Sequence, residues 1–490
     1  MRRFAVLAIL LVVLSTSAAP PSPTMTLAYP TAPARADLDR LNLQMAWNLQ
    51  LPCDAVHNGI GAIQHIGNQL YIQLRDGTIV AVDAETGKIE WSRRIGNAYP
   101  VIRRLGYDAD LVLALDVNRL IALDKKSGTQ RWILELPDAP VSPPMAGDDL
   151  LYVPFTNGRV ITYALPETRA LALEKTREER KDVAERENKI RQKISAAMPL
   201  APTGVNLLKF NSDASGGRGA TTSDSTTRSA TTSNSTTRSA TTSMAMHKSA
   251  SYITKQSTAS EIKDAAAGPL FLSSRSPGFR VDHPVLVSPL GILLSGNNST
   301  ETLTVRRDPE NPIYKFNTAA PLALAPAQYG NSAYFACVDG TISAVDLARG
   351  KLLWQTAAPS PLADQMIVTE TGVFGALRQG GIVMIDSATG NAAWTQSAAQ
   401  KLIAVNKSYV YANDRIGRML VLDRTSGAVL AQFDLSKYNV PFVNDRTDRV
   451  ILAANDGSVI CLRDRDQNTP LLHEAPPAPK MADKKAEPGK

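Results

Sequence analysis

Apolar residues along the chain alternate with polar ones or gather in short blocks of four to seven, as in "QLYIQL", "TIVAV" and "SAYFAC", with Gly, Asn and Asp between the blocks. That spacing predicts short strands joined by tight turns rather than helices. The pattern also returns. "AVDAETGKIEW" from Ala81 to Trp91 recurs as "ALDKKSGTQRW" from Ala122 to Trp132, "AVDLARGKLLW" from Ala344 to Trp354 and "MIDSATGNAAW" from Met384 to Trp394. "VLDRTSGAVLA", from Val421 to Ala431, keeps the aspartate and the glycine and loses the tryptophan. Measured between aspartates, Asp83 to Asp124 is 41 residues, Asp346 to Asp386 is 40 and Asp386 to Asp423 is 37. Extending the period puts Ala164, Arg306 and Arg463 at the same position and brings the count to eight. Four short strands fill about 40 residues, the size of one β-propeller blade, so the pattern predicts an all-β, eight-bladed propeller.

All five tryptophans, Trp47, Trp91, Trp132, Trp354 and Trp394, fit one blade position. Trp47 lies before the first complete repeat, whereas the last repeat stops after Cys461 and Leu462 without an outer strand. The N-terminal segment is therefore expected to supply that strand and close the ring, which leaves no sheet edge exposed.

Other stretches break the period. Residues 1–19 place Arg2 and Arg3 before an apolar run from Phe4 to Leu14 and then small residues, the layout of a secretory signal peptide. No cysteine follows that run as a lipid-anchor site would require, and no later stretch is apolar enough to span a membrane. Residues 20–37 read as a flexible Pro-rich linker, and residues 38–166 as blades 1–3 with the closing strand near Trp47. An insertion follows over 167–267. Its first part is rich in helix formers and opposite charges, with Val183, Ile190 and Ile194 at helical spacing, and predicts a solvated helix. Its second part, "ATTSDSTTRSATTSNSTTRSATTS" from Ala220 to Ser243, is low-complexity and too polar to offset its ordering entropy, so disorder is expected. Residues 268–466 resume the propeller from blade 3 to blade 8, with its outer strand restarting near Gly268, and 467–490 read as a flexible tail.

Charge and composition narrow the partners. The 490 residues carry a formal net charge of +7, part of it in the leader and the lysine-rich tail, and no basic stripe interleaves with aromatics. Nucleic acid is therefore not an expected partner. Cys53, Cys337 and Cys461 are odd in number and far apart, which predicts buried free thiols rather than a disulfide framework. The five histidines, His57, His65, His247, His283 and His473, are scattered without metal-ligand spacing and read as solvated or incidental. "DAETGKIEW" begins like a calcium loop but has its glycine at the fifth position and no closing glutamate at the twelfth, and no G-x-S-x-G elbow or phosphate loop is present.

The A-x-D-x-x-x-G-K-x-x-W pattern, complete at Ala81–Trp91 and Ala344–Trp354, resembles the tryptophan-docking motif of the pyrroloquinoline-quinone-like propeller repeats. The resemblance runs from about Trp47 to Arg463 apart from the insertion. It implies that each docking tryptophan packs between neighbouring blades while the glycine permits the turn between third and fourth strands. That structural role falls on Ala81, Asp83, Gly87 and Trp91; on Ala122, Asp124, Gly128 and Trp132; on Ala344, Asp346, Gly350 and Trp354; on Asp386, Gly390 and Trp394; on Asp423 and Gly427; and on Trp47.

One branch of the family holds dehydrogenases that oxidise alcohols or sugars with the quinone (PQQ) and calcium. The other holds non-enzymatic propellers, such as that of the bacterial outer-membrane β-barrel assembly machinery. The enzymes need an aromatic platform and often a disulfide of adjacent cysteines, whereas here every tryptophan sits at a docking position and no two cysteines are adjacent. The expectation is a monomeric, exported scaffold of the periplasm or cell envelope, without catalytic, cofactor or metal residues, that binds protein or peptide partners. The quinone-dependent dehydrogenase is the alternative.

Overall fold

The computed structural model describes residues 30, 32–96, 103–147, 149–197, 268–288, 291–305 and 312–475. Seven antiparallel sheets of four sequential strands each form the blades, spanning 60–94, 106–135, 145–275, 286–317, 327–357, 367–396 and 401–433. An eighth sheet has three strands in the order Leu43–Gln50, Ser458–Asp464, Val450–Ala453, and joins the two ends of the described chain. Within it the strand Leu43–Gln50 runs antiparallel to Ser458–Asp464, with Trp47 opposite Cys461.

The all-β class stands, but the expected eight blades are corrected to seven. The last repeat does not build a blade because its inner strand fails to form. Around Tyr438–Thr447 only Val440 makes a bridge to the closing sheet's own strands, at Ala453, while Thr447 bridges outward to Leu472. Pro441 has no N–H to give a ladder, and Asn444 donates its backbone N–H across to Ile403 of blade 7 at 2.8 Å instead of within its own sheet. The three-stranded sheet therefore closes the ring without being an eighth copy.

Burial follows position in the blade. Middle strands face a neighbouring sheet on both sides and are buried almost throughout, as at Gln69–Leu74 and Val160–Ala164, so they read as continuous apolar runs. Outer strands alternate: in Ile89–Arg94 only Trp91 is fully buried. The core lies between blades; Tyr71, Val82 and Trp47, for example, pack in clusters that each draw on two adjacent sheets.

The insertion interrupts blade 3 between its third strand, Val160–Ala164, and its outer strand, Leu270–Arg275. A 29-residue helix, Arg169–Ala197, leaves the blade there. Its first turns hold on through Ala172, fully buried, and Thr176, whose hydroxyl bonds to the Ala172 carbonyl at 2.8 Å. Further along, Ile190 is 57% exposed. Among the described residues no helix is long and apolar enough to cross a membrane. The signal-peptide reading at 1–19, most of the 20–37 linker, the Ala220–Ser243 repeat, Arg306 and residues beyond 475 lie outside the described residues.

Candidate protein-binding interface

The repeated motif builds one kind of junction. Asp83, Asp124, Asp386 and Asp423 end their third strands and accept hydrogen bonds from turn amides two and three residues on, for instance Thr86 to Asp83 at 2.7 Å and Ser426 to Asp423 at 2.8 Å; Asp346 accepts from Ala348 at 2.8 Å. The Arg131 guanidinium holds Asp124 down at about 2, and the Thr425 and Ser426 hydroxyls do the same for Asp423. These carboxylates are spent on turn geometry. The glycine four residues on takes a positive φ, 69° at Gly87 and 76° at Gly390, which a glycine adopts without strain.

The same glycine accepts the tryptophan of the preceding sheet. A Cβ on Gly87 or Gly128 would come within 2.5 Å of the Trp47 or Trp91 indole, and one on Gly390 or Gly427 within 2.6 Å of Trp354 or Trp394. Each of these indoles also donates Nε1–H to the carbonyl after the aspartate: Trp47 to Ala84 at 3.0 Å, Trp91 to Lys125 at 2.7 Å, Trp354 to Ser387 at 2.8 Å and Trp394 to Arg424 at 2.9 Å. Ala81, Ala122 and Ala344 are fully buried opposite their tryptophans, where a small side chain leaves room for the ring.

Trp132 is different. It is buried, yet its Nε1 has no partner, because blade 3 carries the inserted helix where blades 1, 2, 5, 6 and 7 carry the Asp–Gly turn. Gly350 is met by Tyr314 rather than a tryptophan, and the Tyr314 hydroxyl donates to Leu347 at 2.7 Å. Sequence reading passed over Tyr314, although it stands eight residues after Arg306, the step that separates Asp83 from Trp91. Ser273 and Ala431 occupy the position in blades 3 and 7.

At the junction of the closing sheet with blade 1, buried charge is added beside the Trp47 dock. Arg449 is 1% exposed and donates to both Glu85 oxygens, Nε to Oε1 at 3.1 Å and Nη2 to Oε2 at 2.7 Å. It also reaches Asp448 at 3.3 Å and the carbonyls of Gln467 and Asn468 at 3.3 and 3.1 Å. Burial pushes Asp448 up to about 6 against the pull of Arg449. Glu85, which its varying counterparts Lys126, Ala348 and Ala388 made look incidental, is thus the blade 1 side of the closure. The histidines also differ from expectation: His65, His283 and His473 are buried and only His57 is an exposed one, while His247 lies outside the described residues. His65 bonds to Asn444 at 3.0 Å, and burial lowers His473 to about 4.

Because strands alternate in direction, the turns after inner and third strands share one face of the ring, the docking-turn face. The segments leading into the inner strands share the other. There a cavity of about 610 Å³ opens, lined by residues of blades 2 to 6 that include Arg103, Arg104, Asp282, Asp364 and Gln365. Backbone turns, two arginines and two carboxylates converge on it, a surface suited to a polypeptide of mixed polarity. The quinone does not fit this lining: neither a tryptophan nor a tyrosine or phenylalanine is on it to stack a planar ring, and Cys53, Cys337 and Cys461 are all free and distant in sequence. Among the described residues no His, Cys, Asp and Glu cluster has the makeup of a metal site.

Comparison with known proteins places this architecture. The pattern of the family described as outer membrane protein assembly factor BamB matches residues 46–189, 75–260 and 295–477. Outer membrane protein assembly factor BamB of Kangiella koreensis is 30% identical over 132 residues, which is 26% of this chain and 34% of that protein. The match thus spans about a third of the relative's length. The crystal structure of BamB from Moraxella catarrhalis superposes with a TM-score of 0.52 at 13% identity, covering 86% of this chain and 97% of that one. The computationally designed Ika8 protein gives 0.50 at 13% identity, covering 84% and 98%. At such identity both structures speak to the fold alone.

Proposed function

The chain belongs to the family described as outer membrane protein assembly factor BamB, and from that premise we propose that it is an exported, non-catalytic propeller scaffold that binds protein or peptide partners in the assembly of outer-membrane proteins. The observation that carries this reading is the division of labour between side chains: every tryptophan is committed to a blade junction, and the open funnel is lined by charged, polar and small aliphatic groups with His283 and no tryptophan, tyrosine or phenylalanine. Such a mouth offers hydrogen-bonding and charge of both signs to a chain segment, and no platform for a planar redox cofactor. The leader-like residues 1–19 support delivery to the periplasm.

Two measurements test it. Cells lacking the gene are expected to hold less folded β-barrel protein in the outer membrane, with the level restored by the intact gene. The purified protein, given the quinone and calcium, is expected to turn over neither alcohols nor sugars; turnover would establish the dehydrogenase instead.

A further inference from the structure

The segment that leaves the closing sheet runs over the docking-turn face, opposite the funnel. It pairs with residues 446–448 as an added extended strand. The Asp448 N–H donates to the Leu471 carbonyl at 3.1 Å, the Leu471 N–H to the Asp448 carboxylate at 3.0 Å, and the His473 N–H to the Arg446 carbonyl at 2.8 Å. Thr447 and Leu472 form the bridge between them. The His473 ring then reaches the Val405 carbonyl of blade 7 at 3.0 Å. Arg446 binds Glu474 at 2.9 Å and, through its other terminal nitrogen, the Tyr107 hydroxyl of blade 2 at 2.9 Å. Ala475 lies against Gly330 of blade 5, where an added Cβ would meet its methyl at 3.2 Å. A segment that starts at the closing sheet and touches blades 7 and 5, with its arginine partner tied to blade 2, reaches across the docking-turn face of the ring. Residues 467–475, the start of the segment expected to be a flexible tail, make these contacts.

We propose that the edge formed by residues 446–448 on this face is a binding site for extended peptides, occupied in cis by residues 470–475 and able to take a partner's segment that places a carboxylate where Glu474 sits. Backbone pairing to residues 446–448 supplies affinity that does not depend on sequence. The Arg446–carboxylate pair supplies the choice of partner, because a charge-assisted hydrogen bond is roughly twice as strong as a neutral one. Leu471 and Leu472 stay 37% and 56% exposed, so the segment is held by its backbone, His473 and Glu474 rather than by burial of its leucines. Such a hold is one that a competing strand can replace. The tether makes the cis segment a strong competitor, with an effective concentration of about millimolar for a short linker. The site is separate from the funnel and does not depend on what the funnel takes.

The test uses a chain ending at Thr469, which keeps the Gln467 and Asn468 carbonyls on Arg449, and a fluorescent peptide of residues 470–480. The shortened chain is expected to bind the peptide, the full chain to bind at least about tenfold more weakly, and Arg446→Ala in the shortened chain to lose about tenfold or more. Circular dichroism shows whether the shortened chain is folded. If it is not, the full chain carrying Glu474→Lys serves: faster amide exchange at Leu471 and His473 with gained peptide binding is the supporting result. A folded shortened chain that ignores the peptide, or binds it equally with Arg446→Ala, overturns the proposal, as does a Glu474→Lys chain with unchanged exchange.

Discussion

The junction of blades 5 and 6 and the junction of the closing sheet with blade 1 do the same mechanical task by partly different chemistry. At the first, Trp354 fills the space over Gly390 and donates one hydrogen bond to Ser387. At the second, Trp47 does likewise on Gly87 and Ala84, but a fully buried Arg449 with Glu85 and Asp448 is added beside it. A repeated interface needs only apolar area and one satisfied donor, because both sheets carry complete four-stranded ladders. The closing sheet lacks an inner strand, and charge pairing with carbonyls from the following segment fills the gap.

That difference is sharpest when the arginine is removed. Arg449→Met leaves Asp448, 2% exposed, without its counter-charge, and the expected loss is about 3–5 kcal/mol in urea unfolding. A loss below about 1 kcal/mol would mean the closure does not depend on the ion cluster.

Two of the buried titratable groups of the closure, His473 and Asp448, pull in opposite directions with pH. His473, lowered to about 4 by burial, is protonated more readily unfolded than folded below its ordinary 6.5, so its share of stability is lost as pH falls from about 6.5 toward 4. Asp448, raised to about 6, binds its proton more readily folded, so its share is present at low pH and lost as pH rises from about 4 through 6. His473→Gln should therefore make the protein gain stability on acidification relative to wild type, by about 2–3 kcal/mol across that window, and Asp448→Asn should make it lose more than wild type. Parallel pH profiles of the three proteins in thermal melts would contradict this assignment.

At the repeated junctions the expected effects are smaller. Gly390→Ala must place a methyl within 2.6 Å of the Trp354 indole at a φ of 76°, which is expected to cost about 1–3 kcal/mol. Trp354→Phe removes a bonded donor and Trp132→Phe an unpartnered one. The first is therefore expected to destabilise by about 1 kcal/mol more than the second. Equal losses would show that the indole hydrogen bonds add nothing to docking.

Much of this architecture was legible because a repeat writes the same physical demand several times. Asp83, Gly87 and Trp91 gain meaning from Asp124, Gly128 and Trp132, and the short apolar blocks follow from sheets packed on both faces. What repeats do not share stayed hidden. Glu85 looked incidental since no other copy keeps it, yet its partner Arg449 lies more than 360 residues away in a segment with no period. The missing inner strand near Pro441 was masked by Val459–Leu462, which continues the pattern well enough to suggest a full blade. The funnel collects loop residues from several blades, whose convergence is a property of the closed ring and not of any local stretch.

We propose that the funnel face of this ring serves partners in outer-membrane assembly. That claim is tested most directly by restoring a gene-deleted strain with three versions and measuring folded β-barrel protein in the outer membrane. These are the wild-type chain, a funnel variant with Arg104→Glu and Ala325→Arg, and an outer-strand control with Leu353→Lys at an exposed position. Wild type and control are expected to restore the level, and the funnel variant, equally folded and abundant, is expected not to. A funnel variant that restores it fully would contradict the claim.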